Sequence, residues 1–212
     1  MPSKAGVPGG AVTGAILAAG RSVRMGRPKA LLPAGVGGGA FVTRLATALA
    51  EGGVGEVLVV VRSDDREIRD EVHRAAALRW VPLRVVENTS ADLGQLSSVH
   101  AALSAVHPSR SDGLLVVPVD MPLVAAATIK RLLEVFHSSR AAIVRAVHAG
   151  RHGHPVIFSR AVFDDLRQAD PSVGARSVVR AHGALDVAVD DRGVIEDVDT
   201  PEDYERLFGG PR

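Results

Sequence analysis

The chain has 212 residues, 25 lysines and arginines against 24 acids, and a net charge of +1. That length suits one large domain or two small ones, and so small a charge gives no global field for nucleic acid or a membrane surface. Aromatics at 3% remove the stacking platforms of a single-strand binder, and the absence of cysteine excludes disulfides, thiolate nucleophiles and zinc–thiolate sites.

Residues 1–10 carry two prolines and three glycines and read as a disordered tail. They contain no apolar signal core, and no apolar run is long enough to span a bilayer, so a cytoplasmic protein is expected. Residues 12–19 form a first strand. Residues 34–39 hold four glycines and read as a mobile loop. Residues 41–51 have helical spacing and end at Gly52-Gly53. Residues 56–61 are a continuous apolar run, as expected of a buried parallel strand. A charged helix follows over 64–78, then a short strand over 83–86 and a helix over 97–106. Residues 114–119 read as another buried strand and 125–136 as a helix. Strand and helix alternate to this point, which predicts a parallel, doubly wound sheet.

The pattern then changes. Residues 142–147 and 155–158 flank 148–154 as the arms of a hairpin. Residues 161–168 and 175–181 read as short helices, 185–189 as a strand and 201–208 as a last helix. The expected architecture is α/β and Rossmann-like, in three layers, with a mostly parallel sheet and an added antiparallel portion in the last third. Residues 11–212 form one domain, with 11–138 the nucleotide-binding half and 139–212 the acceptor-binding half.

The chemistry concentrates after the first strand. Gly20 and Gly26 bracket Arg21 and Arg24, and Arg27, Pro28 and Lys29 follow. A strand that runs into a glycine-bearing, cationic loop suits a phosphate chain. Glycine lets the backbone approach with its N–H groups, and the cations offset anionic oxygens. Lysine occurs only at positions 4, 29 and 130, so a compact ammonium in this loop stands out. A solvated strand-to-helix connection is the other reading of such a loop.

The longer string decides between them. Leu17-Ala18-Ala19-Gly20, Ser22, Arg24-Met25-Gly26, Pro28-Lys29 and Leu31-Leu32-Pro33 resemble the opening signature of the nucleotidyltransferases related to molybdenum-cofactor cytidylyl- and guanylyltransferases. The resemblance runs from about residue 12 to residue 208. It implies a Rossmann-like nucleotidyltransferase fold and transfer of a nucleoside monophosphate from an NTP to a phosphorylated acceptor, with release of pyrophosphate. Leu17, Ala18, Ala19, Gly20, Arg24 and Lys29 then fall in the nucleotide site, with Arg24 and Lys29 counted as catalytic. Ala-Ala-Gly and Pro-Lys are similar to the cytidylyl branch, whose partner is CTP and whose acceptor is molybdopterin.

Asp120 ends a buried strand, at the sheet edge where α/β proteins bind ligands. On that feature alone it is equally a magnesium ligand or a solvated turn aspartate. Val119-Asp120-Met121-Pro122 is similar to the family's Asp-x-Pro metal motif, which makes Asp120 a catalytic metal ligand. Asp199 lies just outside a helix start already served by Thr200, Pro201, Glu202 and Asp203. It matches the Asp-x-Asp-Thr-Pro-Glu-Asp string and is expected to be the second Mg²⁺ ligand.

Asn88, Gly94, Ser97 and Ser98 lead from a strand into a helix start. There they would either cap the helix or contact the nucleotide. The segment is similar to the family's nucleotide-contacting stretch, with Thr89 where that stretch has proline. His152 and His154 lack a third ligand and read as a turn rather than a metal site. Gly153-His154-Pro155 resembles a motif near the acceptor pocket, and Arg176 could meet an acceptor phosphate. A molybdoenzyme or its chaperone is a further expected partner; nucleic acid and membrane are not. A nucleotidyltransferase for a sugar phosphate or other phosphorylated metabolite, a nucleotide-sugar-dependent glycosyltransferase and a non-catalytic nucleotide-binding module are the competing readings. The first shares the chemistry. The arginine–lysine loop argues against the second, because a triphosphate needs more cation than a diphosphate sugar.

Overall fold

The computed structural model describes residues 11–35, 37–76, 82–107 and 109–209. The expected tail at 1–10 and the last two residues of the helix expected over 64–78 lie outside them.

Seven strands make one sheet in the order β3-β2-β1-β4-β6-β5-β7. β1 (Ala11–Leu17), β2 (Glu56–Arg62), β3 (Leu83–Asn88) and β4 (Ser111–Pro118) pair in parallel. β6 (Arg151–Ser159) runs antiparallel between β4 and β5 (Ile143–His148). β7 (Leu185–Ala188) pairs in parallel with β5. The antiparallel portion is therefore a single reversed strand inside the main sheet.

Helices cover both faces. α1 (Phe41–Gly52), α2 (Arg66–Ala76), α4 (Ala126–Ser139) and α7 (Pro201–Phe208) bury apolar residues with Val12, Ile16, Val57 and Val59 on one side. α3 (Gln95–Ala105), α5 (Phe163–Gln168) and α6 (Arg176–His182) pack with Ala15, Leu17, Leu58 and Val60 on the other. Successive side chains of a strand point to opposite faces. A strand covered on both faces is accordingly apolar throughout, and Val57 to Val61 are all buried.

Several boundaries differ from expectation for local reasons. β1 stops at Leu17; Ala18 N–H still bonds Val60 O at 2.8 Å before the chain leaves the sheet. β3 extends to Asn88, because Glu87 and Asn88 pair with Val61 and Arg62. α3 starts two residues early. Its N-cap is Gly94 at φ 92°, ψ −178°, a region essentially open to glycine alone, and no side chain caps it. The β5–β6 turn is only Ala149-Gly150, at φ 48° and 76°, the two-residue hairpin geometry. His152 and His154 therefore belong to β6 and not to a turn.

α7 packs on the start of α1. Thr200 and Asp203 form a reciprocal capping box with Pro201 in the first turn. Tyr204 and Phe208 pack on Phe41 with ring centroids 6.2 and 5.4 Å away. The Tyr204 hydroxyl donates to Pro33 O at 2.8 Å, which ties the end of the chain to the segment after the cationic loop.

Candidate functional site

β1 and β4 end level, since Leu17 pairs with Pro118, and β2 runs two residues past the Val60 that faces Leu17. The loops that leave them border a cleft of about 700 Å³ at the carboxyl edge of the sheet. Leu17, Ala18, Ala19, Gly20, Arg24, Lys29, Gly94, Ser98, Asp120 and Asp199 all line it. Residues far apart in sequence are thus brought to one wall.

The cationic loop is shaped by its own residues. Ser22 takes a left-handed conformation at φ 50°, and its Oγ accepts from the Lys29 N–H at 3.1 Å. Gly26 takes φ 71° and closes the turn onto Ser22 O and Val23 O. At Gly20 an added Cβ would meet nothing within 4 Å. The chain's own packing does not demand a glycine there, and the backbone faces open cleft.

The expected phosphate-binding cations and metal-binding acids meet directly. The Lys29 side chain is 10% exposed and lies between the two carboxylates. Its Nζ is 3.4 Å from Asp120 Oδ2 and donates a short hydrogen bond to Asp199 Oδ1. Arg24 Nη2 donates to Asp199 Oδ2 at 2.5 Å. The Val198 N–H donates to Asp120 O at 2.8 Å, which pins the segment before α7 against the end of β4. Burial raises the Asp120 pKa, with Asp199 and Asp197 pushing the same way against the attraction of Lys29. The Asp199 pKa is lowered, first by the Lys29 hydrogen bond and then also by Arg24. Among the described residues no group of three or more His, Cys, Asp or Glu side chains is placed to hold a metal ion. Two partly buried carboxylates with hard oxygen donors still suit a divalent cation that draws its other ligands from phosphate and water.

Asn88 and Ser97 stand behind the cleft wall. Asn88 is buried, donates to Ser97 Oγ at 2.8 Å and Ser98 Oγ at 3.0 Å, and accepts from the Ser90 N–H. Ser97 Oγ donates to Gly94 O at 2.7 Å. Ser97 is thus in the first turn of α3 and does not cap it.

A second cleft of about 950 Å³ adjoins the first and shares Leu17, Gln95, Pro118 and Asp120 with it. His154 and Arg176 line it, as do Arg145, Arg151 and Arg180. Arg145 is held by Asp186 at 2.9 Å. Burial lowers the His154 pKa, helped by the charge of Arg176, and its buried Nδ1 makes no hydrogen bond. Other histidines have ordinary partners: His100 bonds Leu166 O, His148 bonds Val189 O and His182 pairs with Asp165.

Sequence reasoning missed Arg62, Gln95, Arg145, Arg151 and Arg180 as cleft residues. Arg62 had a legible signal, since it ends an apolar strand at the carboxyl edge. Gln95 opens α3 within the stretch from Asn88 to Ser98, whereas Arg145, Arg151 and Arg180 depend on how β5, β6 and α6 fold against β4, which no local pattern announces.

An α/β sheet with a cationic glycine loop and two carboxylates at its carboxyl edge is the framework of a nucleotide-handling enzyme. A family model described as the MobA-like NTP transferase domain matches residues 14–187. The chain belongs to that family and is a nucleotidyltransferase. Among named relatives, the purine catabolism protein PucB of Bacillus subtilis is 27% identical over 92% of this chain and 94% of its own. A probable molybdenum cofactor guanylyltransferase of Pelotomaculum thermopropionicum is 34% identical over 73% of this chain and 69% of its own. The crystal structure of Rv0371c from Mycobacterium tuberculosis H37Rv is 32% identical over 96% of this chain and all of its own, at TM-score 0.76. The same protein solved as a complex with manganese is 30% identical over 95% and 99%, at TM-score 0.71. Nucleotidyltransferases of this kind use divalent metals. No helix among the described residues is long and apolar enough to cross a membrane.

Proposed function

We propose that the enzyme transfers CMP from CTP to a phosphorylated acceptor of the molybdopterin type, with Mg²⁺ as the cation, and releases pyrophosphate. The carrying observation is that two clefts meet at Asp120, one walled by the Arg24–Lys29 loop and the other by His154 and Arg176. A donor and an acceptor lying in them would face each other across that carboxylate.

In this reading Leu17 to Gly20, Gly94 and Ser98 border the base and ribose, with Asn88 and Ser97 holding that wall. Arg24 and Lys29 bind the triphosphate and neutralise charge that grows on the departing pyrophosphate. Asp120 and Asp199 hold the cation. When bound, a divalent ion neutralises phosphate oxygens and aligns the donor with the acceptor. Lys29 would turn from Asp199 to the triphosphate, which frees that carboxylate for the cation. Arg176 takes the acceptor's phosphate, and His154 forms part of the wall that meets the acceptor body. No general base is required, because a phosphate nucleophile is already ionised at neutral pH. A molybdoenzyme or its chaperone would receive the product.

GTP is the second reading, favoured by the named guanylyltransferase relatives. CTP is favoured by Ala19 and Pro28. The test is pyrophosphate release with each NTP, Mg²⁺ or Mn²⁺, and either molybdopterin or a panel of sugar phosphates. Release with CTP and molybdopterin supports the proposal. Release only with GTP, or only with a sugar phosphate, replaces the corresponding part of it.

A further inference from the structure

The cationic loop is fastened at both ends, and the two fastenings differ in kind. On the phosphate side Arg24 reaches Asp199, an acid that the proposed function needs for a metal ion. At the far side Arg21 reaches Asp92, in the turn before α3. Arg21 Nε and Nη2 donate to Asp92 Oδ1 at 3.2 and 3.0 Å. The same carboxylate accepts from Arg62 Nη2 at 3.1 and 3.2 Å. Arg62 ends β2, its side chain is only 12% exposed, and its buried Nε makes no hydrogen bond. That nitrogen lies 3.4 Å from Asp64 Oδ1. Arg21 and Arg62 both line the proposed nucleotide cleft, whereas Asp92 does not and is 68% exposed.

Asp92 therefore joins three segments that have no covalent reason to move together: the loop after β1, the end of β2 and the turn before α3. We propose that Asp92 is a positioning residue, the lasting anchor of a strap formed by residues 20–28, while the Arg24–Asp199 contact is the clasp that opens for nucleotide and metal. The distinction is one of competition. With Asp199 holding a cation, Arg24 and Lys29 would turn to the triphosphate, which is the better partner for their charge. Asp92 does not line the cleft, so its carboxylate is not among those expected to hold the cation. Its two arginines keep the loop over the site after the other end lets go. Arg62, held by its η nitrogen, keeps its remaining donors at the cleft wall.

This inference rests on the reading that the first cleft takes the NTP, and the test separates the two. Hydrogen exchange of amides 20–28 is followed in the ligand-free full-length protein and with Mg²⁺ and CTP. The proteins are wild type, Asp92→Asn, Asp92→Glu and Arg21→Gln. The expected result without ligand is faster exchange of 20–28 in Asp92→Asn and Arg21→Gln, with recovery in Asp92→Glu. In pyrophosphate release, KM for the NTP should rise about three- to tenfold in Asp92→Asn with kcat within about twofold, the range of one small ion-pair network. Effects of Asp92→Asn and Arg21→Gln should not add, as expected of side chains in contact. Exchange at wild-type rates in the ligand-free variants overturns the anchor. Faster exchange with an unmoved KM overturns the positioning role. If no NTP changes exchange or is turned over even by the wild type, the nucleotide reading fails, and the ligand-free exchange still decides the anchor.

Discussion

Lys29 is the ammonium on which the two carboxylates of the first cleft converge, and it is almost entirely shielded from solvent. Alanine there leaves Asp120 and Asp199 facing each other, with Arg24 still on Asp199 but no cation on Asp120, and removes a cation from the proposed leaving-group side. The expected result for Lys29→Ala is a fall in kcat of about 10²–10³-fold with a smaller rise in KM, the pattern of a contact stronger in the transition state. Steady-state pyrophosphate release checks it; an unchanged kcat with a raised KM would reduce Lys29 to simple binding. Base choice belongs to the same scale. Ala19 lines the cleft, and its methyl takes space that a glycine would leave to the base. One methyl discriminates by about 1–3 kcal/mol, so the preference for CTP should be strong but not absolute. Ala19→Gly combined with Pro28→Asp should shift the CTP:GTP ratio of kcat/KM toward GTP by roughly tenfold. A ratio that does not move would place base reading on the wall built by Asn88, Gly94 and Ser98. Asn88 shows where reading single residues stops: the stretch it begins resembles a nucleotide-contacting segment, and its side chain joins Ser90, Ser97 and Ser98 to one another.

α7 is the element whose ends were most legible. Thr200, Pro201 and Asp203 predicted its start, and the capping box is formed. The box also reaches the site, since Asp203 Oδ2 accepts from the Asp199 N–H at 3.2 Å and so helps aim that carboxylate. Arg206 first, then the Thr200 and Asp199 bonds, hold the Asp203 pKa down to about 2. A depressed carboxyl stabilises the fold above its unfolded value of about 3.9 and loses that contribution as pH falls toward the folded value. Asp203→Asn should therefore melt a few degrees below wild type at pH 7, as for loss of about 1 kcal/mol of capping. The gap should narrow between about pH 4 and pH 2. Thermal melts of both proteins across that range test this; a gap that is constant with pH would mean the carboxylate's charge is not involved. α3 is the contrasting case. The sequence predicts its start at Ser97, yet the helix begins at Gln95 behind Gly94, where the backbone adopts a conformation that only glycine tolerates.

Two glycines separate what the whole molecule needs from what a ligand needs. At Gly153 a Cβ would lie 1.9 Å from Val194 O, where β6 passes the turn that leads to Asp197 and Asp199. At Gly20 it would meet nothing. Gly153→Ala should cost at least about 2 kcal/mol of stability through overpacking against backbone. Gly20→Ala should leave stability within about 0.5 kcal/mol while weakening NTP binding. Urea unfolding midpoints beside KM for the NTP distinguish them, and a Gly153 variant as stable as wild type would show that the crossing relaxes freely. The order of strands and helices was readable from the amino-acid sequence, because apolar periodicity and turn residues act over a few positions. So were the cationic loop and the two aspartates, because each sits in a local string of distinctive chemistry. Only the tertiary structure decided that β6 is the one reversed strand, that Lys29 lies between Asp120 and Asp199, and that Arg21 and Arg62 share Asp92. Those partners stand 30 to 170 positions apart. Their meeting follows from strand register and from the backbone bond between Val198 and Asp120, which no short stretch of sequence contains.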